Sequence, residues 1–174
     1  MLAKPPLEYA YVGLGSNLND PAKQVRAARK ALAALARTRL QCCSSLYLTA
    51  PIGLIPQPDF INAVCRLETR LSAAELLYSL LAIESAQGRV RQGEPRGGPR
   101  VLDLDLLLYG NHVIHEPELM VPHPRLRDRA FVLQPLAEID PDLDIPGQGR
   151  VTDLLARCSG QTITRLPVGA LDVA

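Results

Sequence analysis

The order of apolar runs, helical repeats and turns predicts an α+β fold, a ferredoxin-like β-α-β-β-α-β core with additions toward the C-terminal end. Three observations support this fold class. Short apolar runs typical of strands alternate with two segments of helical periodicity, each helical segment begins with a capping signal, and no repeat or linker divides the chain. We therefore expect one domain over residues 1–174, with helices packed on one face of an antiparallel sheet.

The first strand and the first helix are predicted near the N-terminal end. Residues 8–14 (EYAYVGL) suit a strand, and residues 15–17 a turn. The Gly-x-Gly here lacks the further residues of a phosphate-binding loop, so we interpret it as a tight turn. Asp20 then occupies an N-cap position with Pro21 just inside the helix. Apolar side chains recur at helical spacing, at Val25, Ala28, Leu32 and Leu35.

Two more strands and a second helix follow. Residues 40–48 (LQCCSSLYL) predict the second strand, and residues 60–69 (FINAVCRLET) the third. Between them, residues 49–59 carry three prolines and are expected to form an irregular loop. Ser72 and Glu75 form a capping box, and the helix that it starts should end near Gly88. Its buried face is expected at Leu76, Leu77, Leu80, Leu81 and Ile83.

A loop rich in glycine and arginine leads into the most informative strand. Residues 88–98 (GRVRQGEPRGG) have too little apolar surface to pack tightly, so we expect a mobile loop. Residues 101–109 are apolar except for Asp103 and Asp105, as in a strand with both faces covered. Because side chains alternate along a strand, both aspartates should share one face.

The rest of the chain predicts smaller elements. A short strand is expected at 112–115, and a proline-rich loop containing His123 at 120–125. Residues 129–139 are helical in pattern, with a kink or two short turns expected at the internal Pro135. The tail should add a short helix and a strand, at 152–158 and 162–166.

Composition excludes several classes of partner. Net charge is +1, and aromatic residues make up 4% with no Trp, so no nucleic acid partner is expected. No apolar stretch is long enough for a membrane span or a signal peptide, which predicts a cytoplasmic protein without a membrane partner. No apolar seam is left over, which favours a monomer. The cysteines lack a CxxC motif, so reduced thiols are expected, at Cys42, Cys43, Cys65 and Cys158.

Two neighbouring carboxylates in an apolar strand repel each other and lose hydration, so they need compensation. A divalent cation such as Mg²⁺ suits carboxylate oxygens. Alternatively, Arg96 and Arg100 neutralise Asp103 and Asp105, or the pair faces water. Arginines beside a metal site are what polyphosphate chemistry requires, since metal ions bridge phosphate oxygens while arginines absorb developing charge.

Together these segments resemble the 6-hydroxymethyl-7,8-dihydropterin pyrophosphokinase family of folate biosynthesis, from about residue 9 to about residue 142. The most specific motif is GPRVLDLDL at 98–106. Further motifs support it, GLGSN at 13–17, QPDFIN at 57–62, QGRVR at 87–91 and VPH at 121–123. The resemblance implies transfer of a pyrophosphoryl group from ATP to the pterin hydroxymethyl oxygen, with release of AMP.

The resemblance also implies roles for individual residues. Asp103 and Asp105 would hold two Mg²⁺ ions that bridge the ATP phosphates and the substrate hydroxyl. Arg89 and Arg100 would act on the phosphates in the transition state. The implied contacts of ATP, the co-substrate, are Glu84, Arg91, Arg100, the Leu106 backbone, His123 and Arg129.

For the pterin, the resemblance implies a position between Phe60 and Phe131, the two Phe residues of the chain. Asn62 would read its polar edge together with groups at Thr49, Ala50 and Ile52. Core packing is the alternative interpretation of both Phe residues.

The chain departs from the family pattern at four places. Gly97 stands where some members carry Trp, and one extra residue lies near Pro95. Leu81 replaces a polar nucleotide contact of some members, and Pro124 replaces an aromatic residue. These departures bear on loop closure and on single ATP contacts, and they spare both aspartates.

Two other functions fit parts of the pattern. A non-catalytic ferredoxin-like binding module would explain the fold, although it leaves the aspartates and arginines without a joint task. A metal-dependent nucleotidyltransferase would also use an Asp-x-Asp strand, but it would release pyrophosphate instead of AMP.

Overall fold

The computed structural model describes residues 5–93 and 95–167. The strands are β1 (Glu8–Ser16), β2 (Thr38–Cys43), β3 (Tyr47–Thr49), β4 (Phe60–Thr69), β5 (Asp103–Tyr109), β6 (Ile114–Glu116), β7 (Leu119–Val121), β8 (Asp144–Ile145), β9 (Gly149–Arg150) and β10 (Ile163–Arg165). The helices are α1 (Pro21–Ala33), α2 (Ala73–Ala86), α3 (Ala130–Ile139) and α4 (Val151–Arg157).

The main sheet is antiparallel and has the order β10-β3-β4-β1-β5, with β2 paired to the far half of β4. The segments β1-α1-β2/β3-β4-α2-β5 follow the predicted ferredoxin-like plan, so the fold class is confirmed. Two small hairpins, β6-β7 and β8-β9, lie outside this sheet. The tail adds β10 beside β3.

The prediction of one strand over residues 40–48 was wrong, because the chain leaves the sheet between β2 and β3. At this break the Ser44 hydroxyl accepts a hydrogen bond from the Val64 N–H, while the Ser44 N–H donates to the Val64 carbonyl. A serine side chain therefore replaces a backbone carbonyl in the ladder, which lets the backbone turn away.

Helices cover both faces of the sheet. α1 and α2 share one hydrophobic core with residues of β1, β4 and β5, and α3 and α4 share a second core with Tyr11, Val64, Leu107 and Leu108. The prediction of helices on one face therefore holds for α1 and α2 only. The additions after β5 cover the other face, and their apolar residues needed a sheet surface to bury.

Along β5, Leu104 and Leu106 pack toward α1 and α2, as the predicted alternation requires. A bulge in the pairing with β1 then shifts the register, and Leu107 and Leu108 both pack on the α3 side. Asp103 and Asp105 therefore share the α3 side of the sheet.

The predicted helix starts are confirmed. The Asp20 carboxylate accepts a hydrogen bond from the N–H of Lys23, and Ser72 and Glu75 form a reciprocal capping box. α3 is one continuous helix that contains Pro135, preceded by a short 3₁₀ turn. The alternative of two short turns at Pro135 was therefore wrong, and the kink at Pro135 stays a prediction.

Cys43 and Cys65 form a disulfide between β2 and β4, which contradicts the expectation of reduced thiols at these positions. The strand register places the two residues directly opposite each other, with their Cα atoms 4.1 Å apart. Sequence spacing does not reveal such a meeting across a sheet. Cys42 and Cys158 are free thiols. Among the described residues, the helices are too short or too polar to cross a bilayer.

Candidate active site

A pocket of about 260 Å³ lies on the α3 side of the sheet. Its floor is formed by β1, β4 and β5, and the segment around the start of α3 forms a wall. We call one group of its lining residues the charged end, comprising Arg100, Asp103, Asp105 and Arg129. We call a second group the aromatic end, comprising Thr49, Ala50, Ile52, Phe60, Asn62 and Phe131. Strands β1 and β4 separate β5 of the charged end from β3 of the aromatic end.

The two aspartates of the charged end have different partners. Asp103 accepts hydrogen bonds from Arg89 and from Arg100, the latter at 2.5 Å. Asp105 is held more loosely, with the Arg129 guanidinium 3.5 Å from its carboxylate. Neutralisation by arginines, the alternative to a metal ion given above, therefore applies to Asp103. Its two arginine partners are Arg100, as expected, and Arg89 instead of Arg96.

The pKa values of the two carboxyl groups move in opposite directions. Burial opposes ionisation of Asp103, but the guanidinium groups of Arg100 and Arg89 outweigh it and hold the pKa below its ordinary value. For Asp105, burial and the negative charge of Asp103 raise the pKa to about 7. Of the two carboxylates, Asp105 is therefore the one that its arginine neighbours compensate less.

Behind Asp103, Glu84 anchors two arginines of the loop that precedes β5. The Glu84 carboxylate is 1% exposed and accepts hydrogen bonds from the backbone N–H of Leu104, from Arg89 and from Arg91. Burial raises the pKa of Glu84, while these donors act in the opposite direction. In this arrangement Glu84 positions the arginines from behind the pocket.

His123 lies beside Asp105, with its Nε2 atom 3.8 Å from the carboxylate. Burial, together with the charges of Arg129 and Arg125, lowers the pKa of His123 to about 4, so the ring is neutral at pH 7. The Nδ1 atom accepts a hydrogen bond from the backbone N–H of Arg125, which leaves the ring proton on Nε2. The ring therefore presents a neutral donor toward Asp105.

The charged end fits Mg²⁺ held jointly with a polyphosphate. The described residues contain no cluster of three ligating side chains. Mg²⁺ commonly takes one or two carboxylates and completes its shell with water and phosphate oxygens. Burial and the charge of Asp103 raise the pKa of Asp105, so a bound cation would offset the cost of its negative charge.

At the aromatic end, Phe60 and Phe131 are half-buried and line the pocket, so neither is purely a core residue. Asn62 is buried, and its Nδ2 atom donates to the Thr49 hydroxyl at 2.6 Å. None of the described residues donates a hydrogen bond to its Oδ1 atom. A ligand N–H is therefore a suitable partner for this oxygen.

Gly15 lies beside Asn62 within β1, so the predicted tight turn at residues 15–17 was wrong for its first two residues. A Cβ atom on Gly15 would come within 2.8 Å of Asn62 Oδ1. The glycine is therefore needed for the close approach of this amide to the strand.

A hydrogen-bond network joins the two loops beside the pocket. Asn17, which is buried, exchanges two hydrogen bonds with the Arg100 backbone and donates from Nδ2 to Gln57 and to the Pro58 carbonyl. Gln57 in turn donates to the Gly97 carbonyl at 2.7 Å. Sequence reasoning assigned no role to Asn17 or Gln57, although both stand in quoted motifs. The mobility expected for residues 88–98 stays a prediction.

Most of the predicted site residues meet at this pocket. All six residues assigned to the pterin line it, as do Arg100, Asp103, Asp105 and Arg129. Leu106 is 4% exposed and its side chain packs in the α1/α2 core, so only its backbone remains for a ligand. Lining residues that sequence reasoning missed include Gly13, Leu14, Arg125, Asp128 and Val132.

An α+β fold in which paired carboxylates, arginines and two phenylalanines border one pocket suits the class of proteins that bind a small polyphosphate and a flat ring. Comparison with known proteins identifies the particular family. The sequence profile of 7,8-dihydro-6-hydroxymethylpterin-pyrophosphokinase (HPPK) matches residues 11–141. The chain belongs to this family.

Two relatives illustrate the similarity, and both carry the name 2-amino-4-hydroxy-6-hydroxymethyldihydropteridine pyrophosphokinase. A Pseudomonas aeruginosa protein is 47% identical over 161 residues, which cover 92% of this chain and 98% of that protein. A Haemophilus influenzae protein is 45% identical over 157 residues, which cover 90% and 97%.

Solved structures support the fold. A Plasmodium falciparum HPPK-DHPS variant has a TM-score of 0.71 at 13% identity, over 89% of this chain and 46% of that one. An HPPK-DHPS in complex with substrates has a TM-score of 0.65 at 13% identity, over 87% and 43%. The chain thus spans less than half of those longer chains.

Proposed function

We propose that this pocket is where the chain, as a member of the pyrophosphokinase family, moves a pyrophosphoryl group from ATP to 6-hydroxymethyl-7,8-dihydropterin. The acceptor is the hydroxymethyl oxygen, the nucleotide product is AMP, and the reaction is a step of folate biosynthesis. One observation carries the proposal, namely that a carboxylate pair with arginines borders the same cavity as two phenylalanines and a buried asparagine.

The charged end is proposed to bind the ATP polyphosphate. Two Mg²⁺ ions, held by Asp103 and Asp105 together with phosphate oxygens, would neutralise the phosphates and bring them to the acceptor hydroxyl. Arg89 and Arg100 already contact Asp103. From there their guanidinium groups can turn to phosphate oxygens and stabilise the charge that develops during transfer.

The remaining nucleotide contacts surround this end. Arg129, which lies between Asp105 and the Phe131 ring, is proposed to bind phosphate, and Arg91 to bind ATP from its loop. The neutral His123 would donate from Nε2. Glu84, which the resemblance implies as a direct ATP contact, is 1% exposed and is proposed instead to support these contacts by holding Arg91 in place. The adenine would lie along the Leu106 backbone.

The aromatic end is proposed to bind the pterin. A flat ring placed between Phe60 and Phe131 would bury apolar surface on both of its faces. Asn62 Oδ1 would accept from a ring N–H, and polar groups at Thr49, Ala50 and Ile52 would complete the recognition of its edge. This position directs the hydroxymethyl group toward the charged end.

We further propose that the chain forms one domain and works as a monomer in the cytoplasm on small-molecule substrates, without a nucleic acid partner. The low net charge supports the last point, because nucleic-acid binding depends on a basic surface.

The direct test is incubation with ATP, Mg²⁺ and the reduced pterin alcohol, followed by chromatography of the nucleotides. AMP should appear in proportion to pterin diphosphate, and omission of either pterin or Mg²⁺ should abolish it. Formation of ADP would indicate an ordinary kinase, and release of pyrophosphate would indicate a nucleotidyltransferase. The Asp105→Asn variant provides the matched inactive control.

A further inference from the structure

The start of α3 has an unusual partner in the C-terminal tail. The N-cap residue Arg129 makes no capping hydrogen bond with its side chain. Instead, Gln161 Oε1 accepts from the Ala130 N–H at 2.9 Å, and Gln161 Nε2 donates to the Asp128 carbonyl at 2.9 Å. A glutamine far along the chain therefore satisfies a free N–H of this helix start. The two residues that Gln161 binds lie on either side of Arg129 in the chain, just before Phe131.

The same tail segment also holds the opposite wall of the aromatic end. The Thr162 carbonyl accepts from the Ala50 N–H at 3.4 Å, and Ile163 of β10 pairs with Thr49 of β3. Ala50 and Thr49 line the pocket, as does Phe131. Three consecutive tail residues thus contact both the β3 wall and the α3 wall.

A second attachment fixes the far side of this segment. Arg165 donates to Glu138 of α3 at 3.1 Å. Glu138 also accepts from the backbone and hydroxyl groups of Ser45 and from the Tyr47 hydroxyl beside β3. The tail is therefore tied to α3 at two points, by Gln161 just before β10 and by Arg165 at the end of β10, which limits how far β3 and α3 can move apart.

We propose that residues 161–165 form a brace across the aromatic end, and that Gln161 is a positioning residue for the pterin. The brace rests on the proposed function of this pocket. It lies beyond residues 11–141, which the family profile matches. Without its two hydrogen bonds, the first turn of α3 can swing and move Phe131 relative to Thr49 and Ala50.

The brace should affect the two substrates unequally. Among the described residues, the proposed ATP contacts Arg89 and Arg91 are held by Glu84, and Arg100 is held by Asn17 and Asp103. Arg129 is bracketed by the brace, but the Asp105 carboxylate also holds it. Loss of Gln161 should therefore weaken pterin binding much more than ATP binding.

The test compares Gln161→Leu, which removes both hydrogen bonds, with Gln161→Glu, which keeps the acceptor for the Ala130 N–H and loses the donor. Thr152→Val, at an exposed position on α4 outside the brace, is the control. For Gln161→Leu we expect KM for the pterin alcohol to rise about tenfold, as for loss of one to two hydrogen bonds. KM for ATP should change less than about twofold. Gln161→Glu should give a KM for the pterin alcohol between these values, and Thr152→Val should match wild type.

Binding of the pterin alcohol with a non-hydrolysable ATP analogue should show the same loss, and the Tm of every variant should be recorded. The brace proposal is wrong if wild type forms AMP normally and Gln161→Leu raises neither the KM nor the Kd for the pterin alcohol. It is equally wrong if both KM values rise together in step with a fall in Tm. A wild-type protein that forms no pterin-dependent AMP would overturn the proposed function and the brace with it.

Discussion

The charged end and the aromatic end of the pocket are assembled differently. At the charged end, Asp103, Asp105 and Arg100 come from one strand and the residues just before it. Ion pairs link Asp103 to Arg100 and to Arg89, and Asp105 to Arg129. At the aromatic end, the side chains come from β3, β4 and α3, and hydrogen bonds from the tail and from Asn62 join the walls.

The two ends therefore depend on different properties, the charged end on charge balance and the aromatic end on the spacing between its elements. At the charged end the spacing of Arg100, Asp103 and Asp105 follows from one strand and the residues just before it, and what varies is how completely the negative charge is compensated. At the aromatic end charge plays little part, and what varies is the spacing between elements. Substitutions at the charged end should therefore change kcat, whereas those at the aromatic end should change KM for the pterin.

The largest effect is expected for Asp105→Ala. Removing a carboxylate from the proposed metal site should lower kcat by roughly 10³-fold, comparable to loss of a major electrostatic contribution. Because repulsion with Asp103 is relieved, the Tm of the metal-free protein should stay the same or rise. Steady-state kinetics and thermal melting measure both effects. Asp142→Ala, at an 87% exposed carboxylate, is the control, and a large fall in Tm for Asp105→Ala would instead indicate a structural salt bridge.

Asn17→Ala tests whether the ends are independent, because Asn17 binds the Arg100 backbone and the loop that leads to the aromatic end. Loss of several buried hydrogen bonds should lower kcat/KM by about 10²-fold and stability by about 2 kcal/mol. Unlike the other variants, it should affect kcat and both KM values. Asn111→Ala, at an exposed turn, should change nothing. A selective effect on one substrate would show that the two loops act separately.

The raised pKa of Asp105 predicts a dependence of stability on pH. The folded protein keeps this proton up to about pH 7, whereas the ordinary value is 3.8, so the folded state binds more protons between these values. As pH rises through this range, wild type should lose on the order of 2 kcal/mol of unfolding free energy relative to Asp105→Asn, after allowance for partial exposure. Denaturant titrations without metal at pH 4.5 and 8 measure the difference. If the denaturation curves of wild type and Asp105→Asn were equal at both pH values, the pKa of Asp105 would not be raised in the folded protein.

The smallest effect is expected for Phe131→Ala. Loss of one aromatic face should raise KM for the pterin by about tenfold, with kcat and KM for ATP nearly unchanged. Tyr78→Ala, which removes a 63% exposed aromatic residue from α2, controls for general effects of aromatic loss. If kcat fell as strongly as in Asp105→Ala, the division between the two ends would not hold.

Local patterns in the sequence predicted much of the fold. Strand β4 has the predicted bounds, both helix caps form, and Asp103 and Asp105 share a face. The motif resemblance identified side chains that the structure then brings to one pocket. Its site roles remain proposals.

Predictions failed where a distant contact overrode the local pattern. Ser44 interrupts the predicted strand over 40–48 by bonding to β4, and β1 continues through Gly15 because that residue makes room for Asn62.

By itself, the sequence determined the capped helices, the apolar strands and the pairing of two carboxylates on one face of β5. These features depend on residues a few positions apart, whose geometry the backbone repeat defines. Only the tertiary structure decided that Arg89 binds Asp103, that Cys43 meets Cys65 and that Gln161 reaches the start of α3. Each of these contacts joins separate elements, so it depends on how strands align and helices pack.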